Sequence, residues 1–306
     1  RIAQYEASIG VTAIAPATMT LPVEELKQIL SVAAKYKKNG TSPKAADLVG
    51  INMEGPFISK VKKGAQDERN IIPCNVEIAE QFLEASDGLV KFIGIAPEDN
   101  KDYLEFIEEM KGKVNISLAH TNADYDTAKK AFDAGANHAV HLYNAMPAFT
   151  HRAPGVVGAV YDGKHVMAEI ICDGIHIHPA MVRATFEMMG ADRMILISDS
   201  MRATGMPDGQ YTLGGLDVKV VGKRATLVSD GAIAGSATNL ADCMRTVVKE
   251  MQIPLETAIA CATINPAKSL GIDDQYGSIK AGKKADIVLL KDNLDLQAVV
   301  KDGVRL

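Results

Sequence analysis

Residues 114–134 read VNISLAHTNADYDTAKKAFDA: a β-prone apolar run stops on His120, and a segment of helical period follows from Asp124 to Ala134. The unit recurs in both directions. Upstream, strand-like Val11–Thr18 precedes a helical Leu21–Lys37, Leu48–Ile58 precedes Val76–Ala85, and Val90–Ala96 precedes Asp102–Met110. Downstream, strands are expected at Ala139–Tyr143, Val166–Cys172 and Met194–Ser198, the latter two separated by a helix over Pro179–Met189. Alternating strands and helices build parallel sheet. The run VTAIAPAT (Val11–Thr18) is apolar on both faces, as a parallel strand covered on two sides must be.

Two architectures use this alternation. A doubly wound open sheet calls for a glycine-rich phosphate turn after an early strand, and GxGxxG is absent. The expected fold is therefore α/β, a (β/α)8 TIM-like barrel, in which the C-terminal ends of all strands meet at one mouth. Seven strands are legible where a closed barrel has eight, so the first is expected upstream of Arg1, ahead of the helix containing Gln4–Ser8. The barrel is expected over 1–272. Hairpins with turn glycines interrupt it at about 208–232, before a helix at about Ala237–Met251. The last stretch, 273–306, alternates strand and turn again and reads as a small β appendage.

The 306 residues carry a net charge of −5, with Lys and Arg scattered and no basic patch, which argues against a nucleic-acid partner. The apolar runs are strand-sized, short of the roughly 18 residues a membrane span needs, so no membrane association is expected. Four cysteines, Cys74, Cys172, Cys243 and Cys261, form no CxxC pair; a reducing cytoplasm fits better than a disulfide framework or a zinc ribbon.

Strand closure would gather Glu54, His120, His141, His176 and Asp199 at one mouth, a set suited to metal-assisted hydrolysis. A glutamate with two histidines is an open catalytic site, leaving positions for water and a substrate oxygen. Glu54, His120 and His141 are the expected ligands of a divalent cation, zinc or iron. Asp199 follows MILIS and is read as a general base beside the acidified water, the alternative being a helix N-cap. The loop His141–Gly155 is where a barrel keeps its specificity. There Asn144 offers a donor and an acceptor, and Arg152 a planar cation for phosphate or carboxylate. Of the HxH pair, His176 is expected in the pocket and His178 in a structural role, because the motif already lies beyond the strand and Pro179 follows at once, so only one ring need face the pocket. His138, His151 and His165 are read as surface or loop residues. EGPF (Glu54–Phe57) and KKGA (Lys62–Ala65) bracket a loop whose backbone can approach a ligand, and IAGS (Ile233–Ser236) precedes a helix whose N-terminus can face an anion.

Taken in order, MEGPF, SLAHTNA, HLYNAM, HRAPG, DGIHIHP, SDSMRATG, IAGS and GSIKAGKKADIV resemble the N-acetylglucosamine-6-phosphate deacetylases of the amidohydrolase superfamily, over almost the whole chain. The resemblance implies a barrel with a small β-sandwich assembled from both termini, of which 273–306 would be the C-terminal part. It implies release of acetate and glucosamine-6-phosphate, a metal on Glu54, His120 and His141, and acid/base work by Asp199. Substrate contacts carry over to Ala65, Asn144, Ala145, Arg152, His176 and Ile233, Ala234 and Gly235. It further implies a homodimer, with the arginine of the HRAPG loop reaching phosphate across the interface. Two features depart from the pattern: a first strand that in many members carries an HxH for a second metal is absent, and Gln66 stands where some members have histidine. Rival readings are an amidohydrolase acting on another amide, cyclic ureide or amino-heterocycle, and a non-catalytic sugar-phosphate-binding protein.

Overall fold

The computed structural model describes residues 1–40 and 42–306. The chain enters through α1 (Ile2–Ser8) and β1 (Ala13–Ile14), runs along α2 (Val23–Lys38), and returns as β2 (Asp47–Leu48), parallel to β1. Pairing continues past these two strands. Thr18 N–H donates to the Asn52 carbonyl at 3.0 Å and Asn52 N–H to Pro16 at 3.1 Å, so the first arm stays beside the next strand up to the mouth.

Six more strands, β3 (Ile51–Phe57), β4 (Val90–Ile95), β5 (Asn115–Leu118), β6 (His138–Ala139), β7 (Met167–Ile171) and β8 (Met194–Ile197), pair in parallel in chain order. The crossovers between them carry α3 (Val76–Ala85), α4 (Tyr103–Met110), α5 (Tyr125–Ala134), α6 (Gly155–Asp162) and α7 (Pro179–Met189). This is the expected α/β barrel architecture. Every residue of β3 is buried, because helices cover one face and the barrel interior the other.

The helices obey local rules. The Asp124 carboxylate accepts Thr127 N–H at 2.8 Å to start α5, which buries Ala128, Ala131 and Phe132, and Gly135 ends it at φ 130°. Between strands and helices, Phe57 meets Phe106 edge-on at 5.5 Å and Phe82 at 6.5 Å. Each such fully buried side chain contributes about 1.5–3 kcal/mol.

After β8 the chain forms an antiparallel meander of β9 (Gly209–Leu213), β10 (Leu216–Val221) and β11 (Arg224–Leu227), where hairpins were expected. Val218, Val220, Ala225 and Leu227 give it a separate core with Met201 and Ala234, against which Ala65 packs. Helices α8 (Leu240–Lys249), α9 (Leu255–Ala262) and α10 (Ile264–Ser269) follow. The strands β12 (Ile287–Leu290), β13 (Leu296–Lys301) and β14 (Val304–Arg305) then make the C-terminal antiparallel sheet. Asp47 ties that sheet to the barrel. Its carboxylate receives the buried Lys301 ammonium at 2.9 Å, Lys284 at 3.0 Å and the Tyr276 hydroxyl at 2.9 Å.

Two expectations change. The strand over Ala139–Tyr143 is only His138–Ala139, because His141, Tyr143 and Ala145 take positive φ (34°, 76°, 52°) and turn the chain out of the sheet. Helices α6, α9 and α10 add to those expected from the sequence. Among the described residues no helix is long and apolar enough to cross a membrane.

Candidate active site

Glu54 lies on β3, His120 just beyond β5 and His141 just beyond β6, and their ligand atoms fall within 4.8 Å of one another. His141 Nε2 is 3.0 Å from Glu54 Oε1 and 3.1 Å from His120 Nε2, and His120 Nε2 contacts the same Glu54 oxygen. The rings meet edge-on, 4.8 Å between centroids. His120 Nδ1 lies 2.8 Å from the Lys62 carbonyl, a contact that orients the ring with Nε2 facing the centre. Two imidazole nitrogens and a carboxylate directed at one point suit a shared divalent cation.

The surrounding loops close tightly on this centre. At Gly64 (φ 54°) a Cβ would stand 3.2 Å from His120 Cε1. At Gly55 (φ 90°) it would stand 2.1 Å from Thr20 Oγ1. Glu98, which nothing in the sequence singled out, accepts the Thr121 hydroxyl at 2.5 Å and Asn122 N–H, clamping the turn where His120 itself has φ 45°. Gln66 is buried with its side-chain carbonyl on Thr20 N–H at 2.7 Å, so this departure from the family pattern holds the loop after β1.

Electrostatics divide the acids. Burial pushes the Glu54 carboxyl up, but His120 and His141 outweigh it and hold it well below the usual carboxylate range. Burial alone would lower His141; the Glu54 contact reverses this and raises it to about 9. For Asp199, just beyond β8 at φ 51°, burial and the Glu54 charge raise the carboxyl to about 6 against the pull of the three site histidines. Asp199 caps no helix: its carbonyl accepts Ser236 N–H at 2.8 Å, and Asn239 caps α8.

His176 Nδ1–H donates to Asp173 Oδ2 at 2.7 Å, leaving Nε2 toward the cavity. Asp173 also receives the Ser236 hydroxyl at 3.0 Å and two backbone N–H groups, Ile175 at 2.8 Å and His176 at 3.0 Å. Against the effect of burial, His176 and these donors hold its carboxyl down to about 2. His178 starts α7, its Nδ1 accepting Ala180 N–H at 3.2 Å.

A cavity of about 1250 Å³ unites Glu54, His120, His141, His176 and Asp199. Ala65, Asn144, Ala145, Ile233 and Gly235 also line it, and Asn144 spends its amide N–H on the His141 and Leu142 carbonyls, both at 3.3 Å. Ala234 is buried behind the wall in the meander core. Arg152 is exposed, outside the cavity lining of its own chain.

His138 requires correction: it is 1% exposed, not a surface or loop residue, and hydrogen-bonds Glu169 at 2.9 Å inside the barrel. His165 is half-buried against the Phe132 and Ala136 carbonyls, and His151 is exposed as expected.

Comparison with known proteins agrees with this geometry. A relative from Bacillus subtilis (strain 168), N-acetylglucosamine-6-phosphate deacetylase, is 39% identical over 96% of this chain and 74% of its own length. The Vibrio furnissii protein of the same name is 36% identical over 97% of this chain and 73% of its own. A mutant N-acetyl-D-glucosamine-6-phosphate deacetylase from Mycobacterium smegmatis, solved in complex with N-acetyl-D-glucosamine-6-phosphate, superposes with a TM-score of 0.93. It is 32% identical, covering 100% of this chain and 79% of that one. The amidohydrolase family model matches residues 43–306. With that match and this fold, the chain belongs to the amidohydrolase family.

Proposed function

We propose that the protein hydrolyses the acetamide of N-acetylglucosamine-6-phosphate, releasing acetate and glucosamine-6-phosphate. The observation that carries this is the convergence of Glu54, His120 and His141 on one point with Asp199 and His176 on the same cavity wall. Glu54, His120 and His141 would hold a divalent cation, which we take to be zinc. When bound, such an ion acidifies a water and polarises an amide carbonyl. Asp199 accepts the water's proton and returns it to the leaving amine; a carboxyl raised to about 6 is ionised at neutral pH yet within reach of protonation. Oriented by Asp173 at Nδ1, His176 turns Nε2 toward the cavity, where it polarises the acetamide oxygen as negative charge develops.

Asn144 and Ala145, with Ala65 and the 233–235 loop, are assigned to the sugar phosphate. Arg152 stands outside its own cavity, a position that suits the phosphate held by a partner copy, so we read the protein as a homodimer. Four free cysteines fit a reducing cytoplasm. We divide the chain into a catalytic barrel over 1–272, with the meander inserted at about 208–232, and a bracing β piece over 273–306.

Acetate release from N-acetylglucosamine-6-phosphate tests the proposal, before chelation, after chelation, and after zinc is restored. Loss and recovery of turnover are expected. Zinc-loaded protein that forms no acetate, or that frees ammonia from an amino-heterocycle instead, overturns it.

A further inference from the structure

Glu169 lies on β7 and points into the barrel with only 8% of its surface exposed, a costly position for a carboxylate without donors. Its partners all lie on or just beyond the neighbouring strand. Oε1 meets His138 Nε2 at 2.9 Å, Oε2 accepts the backbone N–H of His141 at 3.3 Å, and the Glu169 carbonyl accepts Leu142 N–H at 2.8 Å. These bonds grip the chain where β6 has ended and His141 begins the run of positive φ, a conformation that costs roughly 1–2 kcal/mol per non-glycine residue. His138 is fixed in turn. Its ring packs 4.5 Å from Phe92 and its Nδ1 is 3.2 Å from Ser269 Oγ on α10. A continuous buried series therefore runs from α10 through His138 and Glu169 to the backbone of a candidate metal ligand.

We propose that Glu169, oriented by His138, is a positioning residue that holds His141 in its metal-binding pose; this rests on the metal reading above. It stands outside the group of Glu54, His120 and His141 whose ligand atoms converge on one point. The alternative, a pair that serves packing alone, is separable because zinc affinity and fold stability are measured independently.

The test compares Glu169→Leu with Glu169→Gln by zinc competition against a chromophoric chelator, alongside thermal unfolding of the metal-free proteins. Leucine fills the space and removes the acceptor, so zinc affinity falls ten- to a hundredfold, the range typical when a supporting partner of a ligand is lost. Glutamine keeps an oxygen for His141 N–H and stays within about threefold of the parent, by the same reasoning. Unchanged affinity in the leucine variant overturns the proposal, provided Glu54→Gln weakens zinc binding in the same assay. Unchanged affinity in Glu54→Gln defeats the metal reading instead. If Glu169→Leu does not fold, His138→Phe decides: it keeps a ring on Phe92 but loses the donor that aims the carboxylate. Weakening of threefold or more supports the role, and unaltered affinity refutes it.

Discussion

Loading the site with a cation must expel a proton from His141. In the metal-free protein the Glu54 contact raises that imidazole to about 9, whereas a metal ligand must be neutral. At pH 7, two units below, the proton is held by ~2.7 kcal/mol, so apparent zinc affinity is ~100-fold weaker than its limit above pH 9. Between pH 7 and 9 it rises about tenfold per unit and then levels off. Asp199, at about 6, is already ionised over this range and adds slope only at lower pH. Folding stability carries the matching signature. A histidine raised on folding stabilises fully below its unfolded value, near 6.5, and that contribution fades as pH climbs toward 9. The metal-free protein therefore loses stability from pH 7 to 9, while the loaded protein, with His141 already neutral, lacks this loss. Chelator competition across that range measures the slope, and calorimetry in two buffers of different ionisation enthalpy counts about one proton released at pH 7. A flat affinity profile, or zinc uptake without proton release, refutes the reasoning.

Asp199→Asn removes the proton carrier but none of the three ligands. Turnover should fall by about 10²–10⁴-fold with zinc content unchanged, as read by acetate release and metal analysis. Gly55→Ala puts a Cβ where Thr20 Oγ1 stands, 2.1 Å away, at φ 90°. The strand end bearing Glu54 must shift, so zinc competition should register weaker binding and urea unfolding a loss of more than about 1 kcal/mol. Asp47→Ala leaves the buried Lys301 to the exposed Asp302 alone of its two carboxylate partners; urea unfolding should show a loss of about 3 kcal/mol with little change in zinc affinity.

The strand-end residues were legible because they interrupt apolar runs. In a parallel barrel the C-terminal strand ends meet at one mouth, and His120 and Asp199 lie just beyond β5 and β8 while Glu54 lies on β3. Residues that act through others left no such mark. Glu98 and Asp173 read as ordinary loop acids, yet one clamps the turn after His120 and the other aims His176. His138 and Glu169 sit inside strands, where alternation does not reveal which face is the barrel interior when both are buried.

Composition and periodicity alone determined the order of strands and helices and the chemical inventory at their junctions, since both depend on neighbours a few residues apart. Tertiary structure decided which imidazole nitrogen faces the centre, that Gln66 is committed to Thr20, and that Arg152 stands outside its own cavity. Those facts arise from contacts between segments far apart in the chain, whose hydrogen bonds and excluded volumes exist only once the sheet has closed around them.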